Sequence, residues 1–342
     1  MINIFDKKDK ILVVGIGGGG DVVSAAMIAY ALRRAGFKTG IAAVAWERFV
    51  YDPIPGPIKL EELVKPVEKH NYYAIINSET RAKRGDRYIE FQAVNVSKAL
   101  KENIVILDLW SGVKGLVKGL KEVIQNEGYT RVVGVDVGGD VLAEGSEENL
   151  WSPLADSMCL AALKHFPNSL LVVHSPGSDG ELEQEYVLKR ISMTAARKGY
   201  VGAYGMTQED AEVLEKILEY AKSEASMMGL LAFKGFYGYK AIRLGTRKVL
   251  VNPIHTISFI MKADIVYYLS RPAQLVNNTQ SLEEANRELN KHGIYTEYNL
   301  EKDLIGHGLV NKNNYNYNDI LEIRKRGKEK LCKMMNDQSS DI

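Results

Sequence analysis

The chain has 342 residues, 46% hydrophobic and 25% charged, the balance of a soluble globular protein able to bury a large core. A net charge of +1 speaks against nucleic acid or an anionic membrane as the main partner. Two cysteines, Cys159 and Cys332, give neither a disulfide framework nor a zinc spacing. No apolar run reaches the roughly 18 residues of a membrane span, and MINIFDKKDK lacks the apolar centre of a signal peptide. A cytoplasmic protein is expected.

Strands and helices alternate from the start. Ile11–Gly15 reads as a buried strand, Asp21–Ala35 as a helix closed by Gly36, and Gly40–Trp46 as the second strand. A Pro- and Gly-bearing loop follows at Tyr51–Pro57. Tyr73–Ile76 and Tyr88–Val94 read as short edge strands, and Asn103–Leu107 as a clear one. A helix is expected over Ser111–Asn126, a strand over Arg131–Val135, and a helix over Trp151–His165, with Ser152 as its cap and Pro153 in its first turn. Ser169–Val173 is a strand and Glu181–Arg197 a helix. Beyond residue 200 the rhythm changes. Thr207–Ser226 reads as helix, Gly229–Tyr239 as an irregular turn, Leu250–Asn252 and Ile265–Leu269 as further strands, and Asn311–Asn318 as a loop. Ile320–Met335 is a basic helix with a solvated face.

The expectation is a single α/β domain over residues 1–335. Its Rossmann-like, doubly wound, mostly parallel sheet carries helices on both faces. The core covers about 11–270, a helical C-terminal addition about 271–335, and 336–342 is a disordered tail.

The first strand enters Gly15-Ile16-Gly17-Gly18-Gly19-Gly20-Asp21, a loop without polar side chains until the acid. So bare a backbone suits close approach, usually by phosphate. Gly15, Gly17 and Gly20 fit the dinucleotide spacing, and Glu47 ends the second strand where a ribose-binding acid stands. Asp21 would repel a pyrophosphate there, and Asp21-Val22 replaces the Lys-Ser/Thr of a phosphate-binding P-loop. As a bare structural alternative, Asp21 merely starts a helix. The pattern recurs 119 residues on. Seven of eleven positions agree between Val13–Val23 and Val132–Leu142, and both turns end in Gly-Gly-Asp, the second as Gly138-Gly139-Asp140. The echo points to a composite, acidic, backbone-lined cleft.

Ligands of open α/β sheets bind beyond the carboxyl ends of the strands. Five such ends carry acids here: Asp21; Glu47 with Asp52; Asp108; Asp136 with Asp140; and Asp179 with Glu181. Crowded carboxylates need a cation, a shared proton, or hydroxyl and amine partners. Asp136 and Asp140 are the expected ligands of a hard cation such as Mg²⁺. Asp21, Asp140 and Asp179 are catalytic candidates, with His174 as an acid/base beside the Pro-Gly-Ser-Asp-Gly turn. Arg48 reads equally as an anion clamp or as a salt-bridge partner. Gly17 to Gly20, Glu47, Arg48, Gly138, Gly139, Ser152, Gly177 and Ser178 are the expected ligand-binding positions. No His-Glu-x-x-His, Cys-x-x-Cys or G-x-S-x-G occurs, so zinc is not expected and Ser175 and Ser178 are weak nucleophiles.

GIGGGGDVV, WERFVYDPIPGP, VDVGGDVLAEGSEENLWSPLADS, PGSDGEL and NPIHT together resemble a mainly archaeal family known only as domain of unknown function 1152. The resemblance spans about residues 11–270. It implies a Rossmann-like α/β fold and a site at these strand ends, and it names no reaction.

The expected function is an enzyme acting on a small phosphorylated, sugar- or nucleotide-like molecule, as a hydrolase, transferase or lyase. Mg²⁺ suits it better than NAD(P). The alternatives are an NAD(P)-binding dehydrogenase and a non-enzymatic ligand sensor. The expected partner is a small molecule, with neither nucleic acid nor membrane; homo-oligomers remain compatible.

Overall fold

A computed structural model of the protein describes residues 4–47, 49, 51–52, 54–309 and 316–340. β1 (Lys10–Gly15) leads through the first glycine turn into α1 (Val22–Arg34), which returns to β2 (Lys38–Val44). Short strands follow: β3 (Leu63–Val64), β4 (Glu68–Lys69), β5 (Tyr73–Ile76), β6 (Arg81–Arg84) and β7 (Arg87–Ile89). Then come α2 (Gln92–Leu100), β8 (Ile104–Leu107), α3 (Gly112–Glu127) and β9 (Arg131–Val137). α4 (Pro153–Leu163), β10 (Leu170–His174) and α5 (Gln184–Ala196) keep the alternation. It ends with β11 (Tyr200–Gly205), α6 (Gln208–Leu218), α7 (Glu224–Phe233), the hairpin β12 (Gly238–Ile242) to β13 (Arg247–Val251), and β14 (Ile257–Lys262). The chain closes with α8 (Ala263–Leu269), α9 (Arg271–Val276), α10 (Leu282–Asn290), α11 (Glu297–Gly306) and α12 (Tyr317–Ser340).

Among the described residues nine strands form the central sheet, in the order β11-β14-β10-β9-β1-β2-β8-β5-β4. The middle of the sheet, from β10 to β8, is parallel throughout. Antiparallel pairs extend both edges. The chain adds β2 and β8 on one side of β1, then β9 and β10 on the other. β1 and β9 are therefore direct neighbours, with Gly15 opposite Val135. Their two glycine turns leave the sheet side by side.

Strand β1 is apolar on both faces because both faces are covered. Leu12 and Val14 join one core with Leu116 and Leu120 of α3 and most of α4. Ile11 and Val13 join the other with α1, α2 and α6. Cys159 is buried inside α4. Among the described residues no helix is long and apolar enough to cross a membrane.

Several expected elements differ. Of the expected strand Tyr88–Val94 only Tyr88 and Ile89 are extended, as the end of β7, and α2 begins at Gln92. Ile265–Leu269 is helical: Ala263, Val266 and Tyr267, spaced three and four apart, are its buried residues. Thr207–Ser226 breaks after Leu218, and α7 occupies the first half of Gly229–Tyr239. α12 continues to Ser340, into the expected tail. The expected loop at Asn311–Asn318 lies largely outside the described residues, as does Arg48.

Candidate functional site

The turn after β1 folds onto its own acid. Asp21 precedes α1, yet its side chain caps no helical N–H. Its Oδ2 instead accepts from Gly17 N at 2.9 Å. Gly19 N donates to Trp46 O at 2.7 Å and so ties the turn to the end of β2. A Cβ on Gly17 would stand 2.5 Å from Asp21 Oδ2 and 2.9 Å from Asp156 Oδ1. A Cβ on Gly19 would stand 2.6 Å from Glu47 Oε1. In the second turn, Gly138 has φ +124° and its Cβ would run into the Asp179 carboxylate. At Gly17, Gly19 and Gly138 a carboxylate stands where a side chain would begin.

Asp136, on β9, is completely buried, and both its carboxylate oxygens lack a donor. The polar groups that act on it are two further acids, Asp140 and Asp156, and the Gly139 N–H, none at good hydrogen-bond geometry among the described residues. Asp140 opens a short 3-10 turn, and its Oδ2 accepts from Ser152 Oγ at 3.2 Å. Asp156 stands in the first turn of α4, with Oδ1 unpartnered. Asp179, beyond β10, accepts from Glu181 N at 2.9 Å through Oδ1 and leaves Oδ2 unpartnered. One ligand oxygen each from Asp21, Asp136 and Asp156 lies within 4.8 Å of the others.

Burial is the main reason these acids resist ionisation, and mutual repulsion adds to it. Asp21, Asp140 and Asp156 are pushed well above the usual carboxylate range. Burial lifts Asp136 to about 6 and Asp179 to about 7, the latter with help from Glu181. Glu181 goes the other way. Burial raises it, but Arg247 at 3.0 Å, Ser152 Oγ at 2.6 Å and the N–H groups of Trp151 and Ser152 hold its charge.

Asp21, Asp140, Asp156, Asp179, Glu181 and Arg247 help to wall a cavity of about 220 Å³, room for a small molecule rather than a lone ion. Gly17 to Gly20, Asp21, Glu47, Asp140, Ser152 and Asp179 all line it. Asp136, Gly138, Gly139, Gly177 and Ser178 are not among the residues that line it. His174 is wholly buried, bonded through Nδ1 to Ser258 Oγ at 2.9 Å, and lies off the cavity. Glu47 accepts from Gln92 N and Nε2 at 2.9 and 3.0 Å. Ser152 caps nothing in α4 through its side chain. The helix is capped by Glu297 of α11, which accepts from Leu154 N and Ala155 N at 3.0 and 2.9 Å.

Asp156, Arg247, Glu297 and Glu301 line the cavity without having been singled out in the sequence. Asp156 had a signal: α4 is buried along its whole length, and an ionisable residue in such a helix needs a reason. Arg247 had none, since the hairpin that carries it is placed by tertiary contacts. Its Nη1 also donates to Asp179 O at 2.9 Å, and its guanidinium lies 4.6 Å over the Trp151 ring.

The fold and site define a mixed α/β protein with a cavity lined by buried acids at the ends of its central parallel strands. The chain belongs to the family described as protein of unknown function (DUF1152), whose profile matches residues 12–305. No curated protein and no solved structure matches it.

Proposed function

We propose that the protein is an enzyme acting on a small phosphorylated, sugar- or nucleotide-like molecule bound in this cavity. One observation carries the reading: Asp156 and Asp179 line the cavity with buried carboxylate oxygens that no donor satisfies. Buried polar groups without partners are costly, and a site that keeps several of them favours chemistry or a ligand. Asp140 and Asp179 are then the groups that move a proton, and Arg247 with Lys222 orients an anionic group of the substrate.

The sheet supports the same reading as a Rossmann-like, doubly wound fold. Its parallel strands follow the order β8-β2-β1-β9-β10, and both glycine turns leave at the β1/β9 reversal, where such sheets bind ligands. Two details favour this reading over a dehydrogenase. The Asp21 carboxylate covers the Gly17 N–H that a pyrophosphate would use, and Glu47 is turned onto α2. A cytoplasmic location and nucleotide binding belong to the same proposal.

A thermal-shift screen of nucleotides, sugar phosphates and NAD(P) identifies the ligand class, because a ligand of the folded state raises Tm. Turnover of the responding compound should fall about 100-fold or more in Asp140→Asn and in Asp179→Asn, with unchanged far-UV dichroism. Full turnover in both variants contradicts the proposal. A response to NAD(P) alone favours the dehydrogenase, and binding without turnover favours a sensor.

A further inference from the structure

We propose that Asp21, Asp136 and Asp156 together hold a hard divalent cation, with Asp140 outside its first ligand set. The inference rests on the functional reading above and names the ion that the site uses. Each acid comes from a different element: the turn before α1, strand β9, and helix α4. Their ligand oxygens converge within 4.8 Å. Two oxygens on one Mg²⁺ stand about 3–4 Å apart, and two on Ca²⁺ up to about 5 Å. The spacing therefore fits an oxygen-bound divalent ion and spans the range from Mg²⁺ to Ca²⁺.

The second observation is independent of acidity. Asp136 is 0% exposed, yet among the described residues neither of its oxygens has a hydrogen bond of good geometry, and its polar neighbours are two acids and the Gly139 N–H. Asp156 Oδ1 is equally bare. Among the described residues no Lys or Arg pairs with any of the three acids, and the nearby Arg247 is engaged by Glu181. Gly17 keeps the space beside Asp21 and Asp156 free of a side chain. A cation there would satisfy the bare oxygens, and Asp21 and Asp156 bring it to the cavity wall, where a substrate oxygen completes its shell. The sequence pointed to Asp136 with Asp140. The structure keeps Asp136 and sets Asp21 and Asp156 beside it, because the oxygens of these three converge, whereas Asp140 is outside that group and accepts from Ser152 Oγ.

The test uses the full chain, stripped with chelator and titrated with Mn²⁺, Mg²⁺ and Ca²⁺ by calorimetry. One ion per chain should bind. Asp136→Asn and Asp156→Asn should each weaken Mn²⁺ at least about tenfold, whereas Asp264→Asn, an acid at the remote start of α8, should not. In chelator Asp156→Asn should melt no lower than wild type, and it should lose the Mn²⁺-dependent rise in Tm. Absence of binding, or binding unchanged in both variants, overturns the cation site. Turnover that survives chelator overturns the cation and leaves the enzyme; a bound cation without any turnover overturns the enzyme and leaves the cation.

Discussion

Glu301 shows how a single carboxylate in this cavity shapes stability. It is 7% exposed on α11 and accepts from Trp46 Nε1 and, at 2.8 Å, from Gly56 N. Burial pushes it up to about 8, with Glu297 and Asp52 adding repulsion against the pull of its two donors. The folded protein thus holds a proton that the unfolded chain releases near 4.5. The stabilisation from this group is complete below about pH 4.5 and is lost as pH rises through about 8. Glu301→Gln keeps a carbonyl acceptor and cannot ionise. Its Tm should therefore fall less steeply than wild type between about pH 4.5 and 8; equal slopes would contradict the assignment. Glu301 was not legible in the sequence, because its acidity depends on a loop and a strand end far away in the chain. Asp21, Asp140 and Asp179 were legible, because each follows a strand within a few residues and strand ends can be read locally. Gly17 and Gly138 were legible as glycines. That carboxylates press on them became visible only in three dimensions.

Helix α4 shows the same limit one level up. Its apolar run and Pro153 announced a helix, and the helix is there. Ser152 stands at the N-cap position as expected, but its hydroxyl turns to Asp140 and Glu181, and Glu297 arrives from α11 to accept the first free N–H groups. A cap supplied from another element leaves no trace at the N-terminus it serves. Comparing two variants isolates this cap. Glu297→Gln removes the charge and keeps an acceptor, whereas Glu297→Ala removes both. The alanine variant should be less stable than the glutamine variant by about 1 kcal/mol in urea unfolding; equal stabilities would show that the cap contributes nothing. The strand-like residues of Ile265–Leu269 misled for a related reason. Ile265, Val266, Tyr267 and Tyr268 favour strands locally, but packing of Ala263, Val266 and Tyr267 against the core holds them in a helix.

At the scale of the whole molecule, strand order makes the site. Repeating a Gly-Gly-Asp turn 119 residues apart would mean little if β1 and β9 lay at opposite edges. They are neighbours, so the acids that end the two turns, Asp21 and Asp140, line one cavity. The alternation of strands and helices before residue 200 made the parallel centre of the sheet readable. The hairpin, the antiparallel edges and the closing helices were not readable, since their partners are distant in sequence. Those late elements also build the site. Trp151 lies between Arg247 of the hairpin and Arg324 of α12, with guanidinium carbons 4.6 and 4.3 Å from its ring centre. Arg324 also donates to Leu150 O at 2.6 Å, so α12, beyond the family match, braces the cavity wall. The most direct measurement is anomalous diffraction from crystals soaked in Mn²⁺. A single peak should appear about 2.0–2.6 Å from carboxylate oxygens of Asp21, Asp136 and Asp156 together. Strong Mn²⁺ peaks elsewhere on the protein, with none among these three acids, would contradict a single acidic site built by both glycine turns.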